Sequence, residues 1–150
     1  MSTYALRVTR KDRETADCAS LWLEVPTDLN TAFEHRPGQF LTVMADIGGE
    51  AIARQYSISS LWRDPRGLRI TVKKVPGGRM STWLVDEVDA GGTLEVAGPR
   101  GVFFKPLDGA HRVLLLACGS GIAPVLPIAR KLLSEGAGHR VALAYGSRNV

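Results

Sequence analysis

The stretch "RQYSISS", Arg54 to Ser60, opens with a guanidinium, then a phenol, then a hydroxyl. On a regular strand alternate side chains share a face. Ile52, Arg54, Tyr56 and Ile58 then point one way, with Arg54 and Tyr56 about 7 Å apart. A guanidinium grips phosphate through paired hydrogen bonds, and an aromatic face two residues on can lie against a flat ring. Together they suit a ligand with phosphate at one end and a conjugated ring at the other. Ser57 reaches that ring only if the strand twists or ends there. Taken alone, the same residues are better read as an exposed arginine and a half-packed tyrosine.

A second anion site is written in "VKKVPGGRMSTW". A strand runs into two glycines and then into a helix, where Ser81 or Thr82 is placed to cap the first turn. Free amides and the positive end of the helix dipole attract anions, and the glycines let a ligand come close. A third glycine turn, "GSGIAP" (Gly119 to Pro124), follows an apolar strand and opens another helix. Such a turn brings a pyrophosphate to a helix N-terminus. Pro124 suits a first helical turn, whereas Pro127 should tighten or bend the helix.

These groups need strands to hold them. In "LRITVKKV", Leu68, Ile70 and Val72 alternate with Arg69, Thr71 and Lys73, the period of a half-buried strand. "SLWLEV" alternates through Leu21, Leu23 and Val25, and "YALRVTR", "QFLTVMA" and "GTLEVAG" supply further candidates. Glycine and proline turns separate them, and the spacing predicts a small closed barrel interrupted by one helix, "MSTWLVDEV". After "GPRGVFF" the pattern changes. "VLLLACG" is a continuous apolar run, as in a strand buried on both faces. A helix follows with Val125, Ala129, Leu132 and Leu133 at helical spacing, then a second apolar strand. Strand, helix, strand is a parallel unit, which places a first domain over 1–106 and an incomplete nucleotide-binding domain over 107–150.

The totals exclude several classes. The 150 residues are 45% hydrophobic and 23% charged, with a net charge of +4. Basic residues are spread along the chain rather than clustered with aromatics, which argues against nucleic acid. No apolar run nears the roughly 18 residues of a membrane span, and the charged start is unlike a secretory signal, so a cytoplasmic location is expected. Cys18 and Cys118 are far apart, and His35, His111 and His139 form no pair at ligand spacing. No metal site is expected.

In their order and spacing, "RPGQF", "RQYS", "VKKVPGG", "GGRMS", "GPRGVFF" and "GSGIAP" resemble the ferredoxin–NADP⁺ reductase superfamily. The likeness is nearest to the reductase modules of flavohaemoglobins and to the reductase components of bacterial oxygenases, among them the phenylacetyl-CoA epoxidase and ketosteroid hydroxylase systems. It covers nearly the whole chain. The resemblance implies a six-stranded antiparallel Greek-key barrel that binds FAD, followed by the start of a parallel α/β domain for NAD(P)H.

Carried over by position, Arg54 would bind the FAD phosphate, with Gln55 beside it in the cofactor-binding set. Tyr56 would lie against the isoalloxazine and Ser57 near flavin N5, the two counted as catalytic. Val72 and Lys74 would offer backbone contacts, while Gly78, Met80 and Ser81 would hold the pyrophosphate. Gly119, Gly121 and Pro124 would bound the NAD(P)H site, with Arg148 a candidate for a phosphate of NADP(H). Relatives often carry threonine where this chain has Ala123. The implied reaction is hydride transfer from nicotinamide to flavin, then release of single electrons to a ferredoxin, an iron–sulfur domain or an oxygenase component. Two other readings remain open here: a flavin subunit that needs another polypeptide, and a barrel that has lost its flavin.

Overall fold

The computed structural model describes residues 2–147. Six strands build the first unit: β1 (Thr3–Thr15), β2 (Cys18–Leu23), β3 (Phe40–Asp46), β4 (Ala51–Ser57), β5 (Leu68–Lys73) and β6 (Thr93–Arg100). They form one antiparallel sheet in the order β4-β3-β6-β1-β2-β5. The predicted six-stranded flavin-type barrel is therefore present.

The long β1 serves both halves of the sheet. Thr3–Arg7 pairs with β6, and from Val8 onward β1 pairs with β2 through two register shifts. Such shifts bend a strand and increase its twist, which is what curling a sheet requires. Alternation decides the interior: Leu6, Val8, Leu21, Leu23, Leu41, Val43, Ile70, Val72, Leu94 and Val96 are all buried in one core. Val25 lies beyond the end of β2 and packs only partly against that core.

Two helices accompany the barrel. The short α1 (Asn30–Phe33), preceded by a 3-10 turn over Thr27–Leu29, was not anticipated. It buries Phe33 against the edge of Tyr4, with ring centroids 5.3 Å apart. The other, α2 (Arg79–Asp86), buries Met80, Leu84 and Val85. Carbonyls at and just past its C-terminal end receive cations from β1, Arg13 Nη1 to Val85 O at 2.9 Å and Lys11 Nζ to Val88 O at 2.6 Å, a favourable match to the helix dipole.

The second unit pairs β7 (Arg112–Cys118) and β8 (Arg140–Gly146) in parallel, joined by α3 (Ile122–Ser134). Here two expectations need correction. β7 is not buried on both faces: Leu114 is 65% exposed and Leu116 69%. α3 packs on β7 and β8, and the face bearing Leu114 and Leu116 has no cover among the described residues. The buried stripe of α3 is Val125, Ile128, Ala129 and Leu132, so Leu133 turns outward. Pro127 sits inside a continuous α3 and is buried. Among the described residues no helix is long and apolar enough to cross a membrane.

The histidines split in a way their sequence spacing hides. His111 and His139 stack at 6.0 Å, and the His111 N–H donates to His139 Nδ1 at 3.1 Å, joining the starts of β7 and β8. His35 is buried, donating from Nδ1 to Phe33 O at 3.1 Å and meeting Trp62 edge-on. No group of three or more His, Cys, Asp or Glu among the described residues is placed to hold a metal ion.

Candidate functional site

The site follows from how the barrel closes. β4 and β5 are the two ends of the sheet order, and a single bridge, Ile58 to Ile70, joins them. Short of that bridge the β4 and β5 edges stand apart. A cleft of ≈ 370 Å³ fills the seam, lined from β4 by Ile52, Arg54, Gln55, Tyr56 and Ser57. β5 supplies Thr71 and Lys73, and the glycine turn with α2 supplies Gly78, Arg79, Met80 and Ser81. Ser120 and Ala123 reach it from the second unit. That size falls in the range of small-molecule sites, roughly 300 to 1,000 Å³.

β4 ends at Ser57, where Phe40 of β3 is its partner, and Ile58 then passes to β5. The chain leaves the regular strand at the point where the sequence required it to, so Ser57 and Tyr56 border one cleft. Tyr56 is half-buried against the core. Burial pushes its phenol up to about 12, and the Arg54 charge offsets only part of that. The ring is therefore a neutral donor and an apolar surface. Arg54 is exposed and donates to Ala53 O at 2.8 Å. Among the described residues no carboxylate pairs with it, which leaves most of its fork free.

The turn before α2 corrects the capping expectation. α2 starts at Arg79 with Gly78 at its N-cap, and no side chain caps it. Ser81 lies inside the first turn and braces the loop: its hydroxyl accepts from Val75 N–H at 3.2 Å and donates to Gly78 O at 3.0 Å. Gly77 has φ +70°, and a Cβ on Gly78 would sit 2.3 Å from Val75 Cγ2. The uncapped first turn thus presents amides to the cleft. Arg79 reaches back to the Glu50 carboxylate and the Ile47 carbonyl.

Seven of the sequence-derived candidates line the cleft: Arg54, Gln55, Tyr56, Ser57, Gly78, Met80 and Ser81. Others lie apart from its walls. Val72 turns its side chain into the core, Lys74 Nζ pairs with Asp86 at 3.0 Å, and the Lys74 N–H is spent on Asp17 O at 2.7 Å. Gly119, Gly121 and Pro124 flank Ser120 and Ala123 at the second unit's turn. A Cβ on Gly119 or Gly121 would meet no atom within 4 Å, so the space beside them is open. Arg148 lies outside the described residues. Thr71, Lys73 and Arg79 were missed, although the alternation of "LRITVKK" already set Thr71 and Lys73 on the face opposite Ile70 and Val72.

A sequence profile described as the oxidoreductase FAD-binding domain matches residues 5–104. The chain belongs to that family. It is 42% identical over 147 residues to the ferredoxin reductase component of 3-ketosteroid-9-alpha-monooxygenase from Rhodococcus rhodochrous, covering 96% of this chain and 41% of the relative. To a 1,2-phenylacetyl-CoA epoxidase component from Escherichia coli K12 it is 36% identical, covering 99% of this chain and 42% of the relative. Phthalate dioxygenase reductase, described as a modular structure for electron transfer from pyridine nucleotides to [2Fe-2S], superposes with a TM-score of 0.78 at 30% identity. That match covers 99% of this chain and 44% of the reductase. The chain thus spans about two fifths of the length of these relatives.

As an FAD-binding domain of the oxidoreductase class, the cleft has a donor set that fits its cofactor. An unpaired guanidinium and an uncapped helix turn suit a diphosphate, and a neutral phenol ring suits a flat ring system.

Proposed function

We propose that this chain is the flavin-carrying part of an NAD(P)H-dependent reductase that feeds an oxygenase system. FAD would occupy the β4–β5 seam, NAD(P)H would approach along the glycine turn, and a ferredoxin, iron–sulfur domain or oxygenase component would take the electrons. The observation that carries this reading is the shared cleft: Arg54, Tyr56 and Ser57, the first turn of α2, and the Ser120–Ala123 turn line one cavity.

When bound, the flavin supplies the two-electron and one-electron chemistry, and the protein binds, orients and keeps out water. Arg54 and the α2 amides hold the diphosphate. Tyr56, protonated at working pH, covers one side of the ring. Ser57 offers a hydroxyl where the strand ends. The open space beside Gly119 and Gly121 admits the second nucleotide, with Pro124 setting the first turn of α3. Val72 keeps only backbone groups to offer, and Lys74 only its carbonyl. The division at 106/107 falls within the 101–111 connection between β6 and β7. A cytoplasmic location suits two unpaired thiols.

The uncovered Leu114–Leu116 face favours a second reading. In it the chain carries the flavin, and further polypeptide must cover β7 and β8 before NAD(P)H reacts.

Reconstitution tests both. The purified chain is mixed with FAD, freed of excess and titrated anaerobically with NADPH and NADH. A yellow protein bleached by either nucleotide supports the first reading, and one bleached only by dithionite supports the second. A chain that stays colourless overturns both.

A further inference from the structure

A line of buried and half-buried hydroxyls runs from the cleft to the surface on the outer face of β2 and β5. Thr71 lines the cleft. Its hydroxyl lies 2.9 Å from that of Ser20 and 2.8 Å from that of Ser59. Ser20 Oγ donates to Glu14 Oε1 at 2.6 Å. Ser20 is 1% exposed and Ser59 3%, while Glu14 is exposed. The carboxylate gets there through the second register shift of β1: Glu14 lies between the pairs Arg13–Ala19 and Thr15–Cys18 and has no partner of its own. A bulge re-aims a side chain in this way.

Counting protons gives the line a direction. A carboxylate only accepts, and each hydroxyl has one proton to give. The Ser20 proton is committed to Glu14, so Ser20 accepts from Thr71; the Thr71 proton is then spent, and the single Ser59 proton is shared between Thr71 Oγ at 2.8 Å and Arg69 O at 3.3 Å. Arg69 fixes the far end, donating from Nε to Ser59 Oγ at 3.0 Å and from Nη2 to Ser59 O at 2.7 Å. Thr71 therefore meets the cleft with a lone pair and no free proton. Three cations, Arg54, Lys73 and Arg79, stand around the rest of the cleft and repel a departing proton. The hydroxyl line ends instead on a carboxylate. Other charges near it are the Lys73–Asp17 pair at 3.4 Å, Asp12 and Arg69, with Arg130 of α3 acting on Arg69.

We propose that Thr71, Ser20 and Glu14 are an outward proton path for the cofactor cleft. The proposal rests on FAD occupying that cleft. A fully reduced flavin that carries one proton on N5 and one negative charge loses two electrons to two one-electron acceptors. The proton freed as the N5–H bond breaks would enter the line at Thr71 Oγ as the Thr71 proton moves to Ser20 and the Ser20 proton moves to Glu14. Flavin ends oxidised and neutral, and one proton reaches water from Glu14.

The full chain, loaded with FAD and reduced with one equivalent of dithionite, is mixed anaerobically with ferricyanide in weak buffer containing a pH indicator. Flavin colour and proton release are followed together. Glu14→Gln keeps the bond to Ser20 but takes no proton, and Ser20→Ala cuts the line. Each is expected to slow proton release by about tenfold or more, on the scale of positioned proton transfer. FAD affinity and midpoint potential are expected to hold at wild-type values. Thr71→Ser restores release that Thr71→Val loses. Wild-type release rates in both Glu14→Gln and Ser20→Ala overturn the path. So does a loss of FAD affinity as large as the slowing, which marks a structural role. A wild-type chain that takes up no FAD fails before mixing and overturns the flavin reading itself.

Discussion

The Ser81 hydroxyl bonds both ends of the turn that precedes its own helix, accepting from Val75 N–H and donating to Gly78 C=O. The brace closes a turn too tight for any side chain at Gly78, where a Cβ would also lie 2.6 Å from Ser81 Oγ. Ser81→Ala removes the partner of the part-buried Val75 N–H and is expected to cost about 0.5–1.5 kcal/mol. Gly78→Ala is expected to cost more and to weaken FAD binding further, because the α2 amides move. Urea melts and FAD titrations of the two variants check the order.

Among the described residues no carboxylate competes for the Arg54 fork, so most of it is available to a ligand. Charge-assisted hydrogen bonds are worth about 1.5–3 kcal/mol. Arg54→Ala should raise the FAD dissociation constant roughly 10- to 150-fold with little change in melting temperature. Arg54→Lys, a point charge without the fork, should recover only part of the loss. Fluorescence titration of FAD measures all three proteins.

Tyr56 has a pH signature. In the unfolded chain a tyrosine titrates near 10, and in the fold burial lifts Tyr56 to about 12. A raised value stabilises the fold below the unfolded value, and that stability is lost as pH rises from about 10 through about 12. Wild type should therefore lose more stability than Tyr56→Phe over that window and match its pH dependence below it. Chemical denaturation of both proteins at stepped pH shows the difference.

Leu114 and Leu116 give the second unit an exposed apolar face. Replacing both with lysine should reduce self-association and leave the FAD dissociation constant within about twofold, since neither residue lines the cleft. Sedimentation and FAD titration test the pair together. If FAD binding collapses, the two units are coupled more tightly than the contacts among the described residues indicate.

Much of this architecture was legible in the chain because strand alternation and glycine turns are local. The inward set Leu68, Ile70 and Val72 of β5 follows from period two, and "RQYS" and "VPGGRMS" mark their chemistry by residue type. Position along a helix was less legible. Gly78 takes the N-cap from Ser81 because the Val75–Gly78 turn closes three residues earlier than the Ser81 hydroxyl suggests.

What the amino acids determined alone is which segments become strands, where the glycines must bend, and which groups can hold an anion and a ring. Tertiary structure decided that β4 and β5 become the two ends of one sheet and that the gap between them is the cleft. It also set Glu14 beside Ser20, and Ser20 beside Thr71, 51 residues on. Those meetings depend on strand register and on a bulge in β1. Both are set by packing between distant segments, and a local pattern carries no record of them.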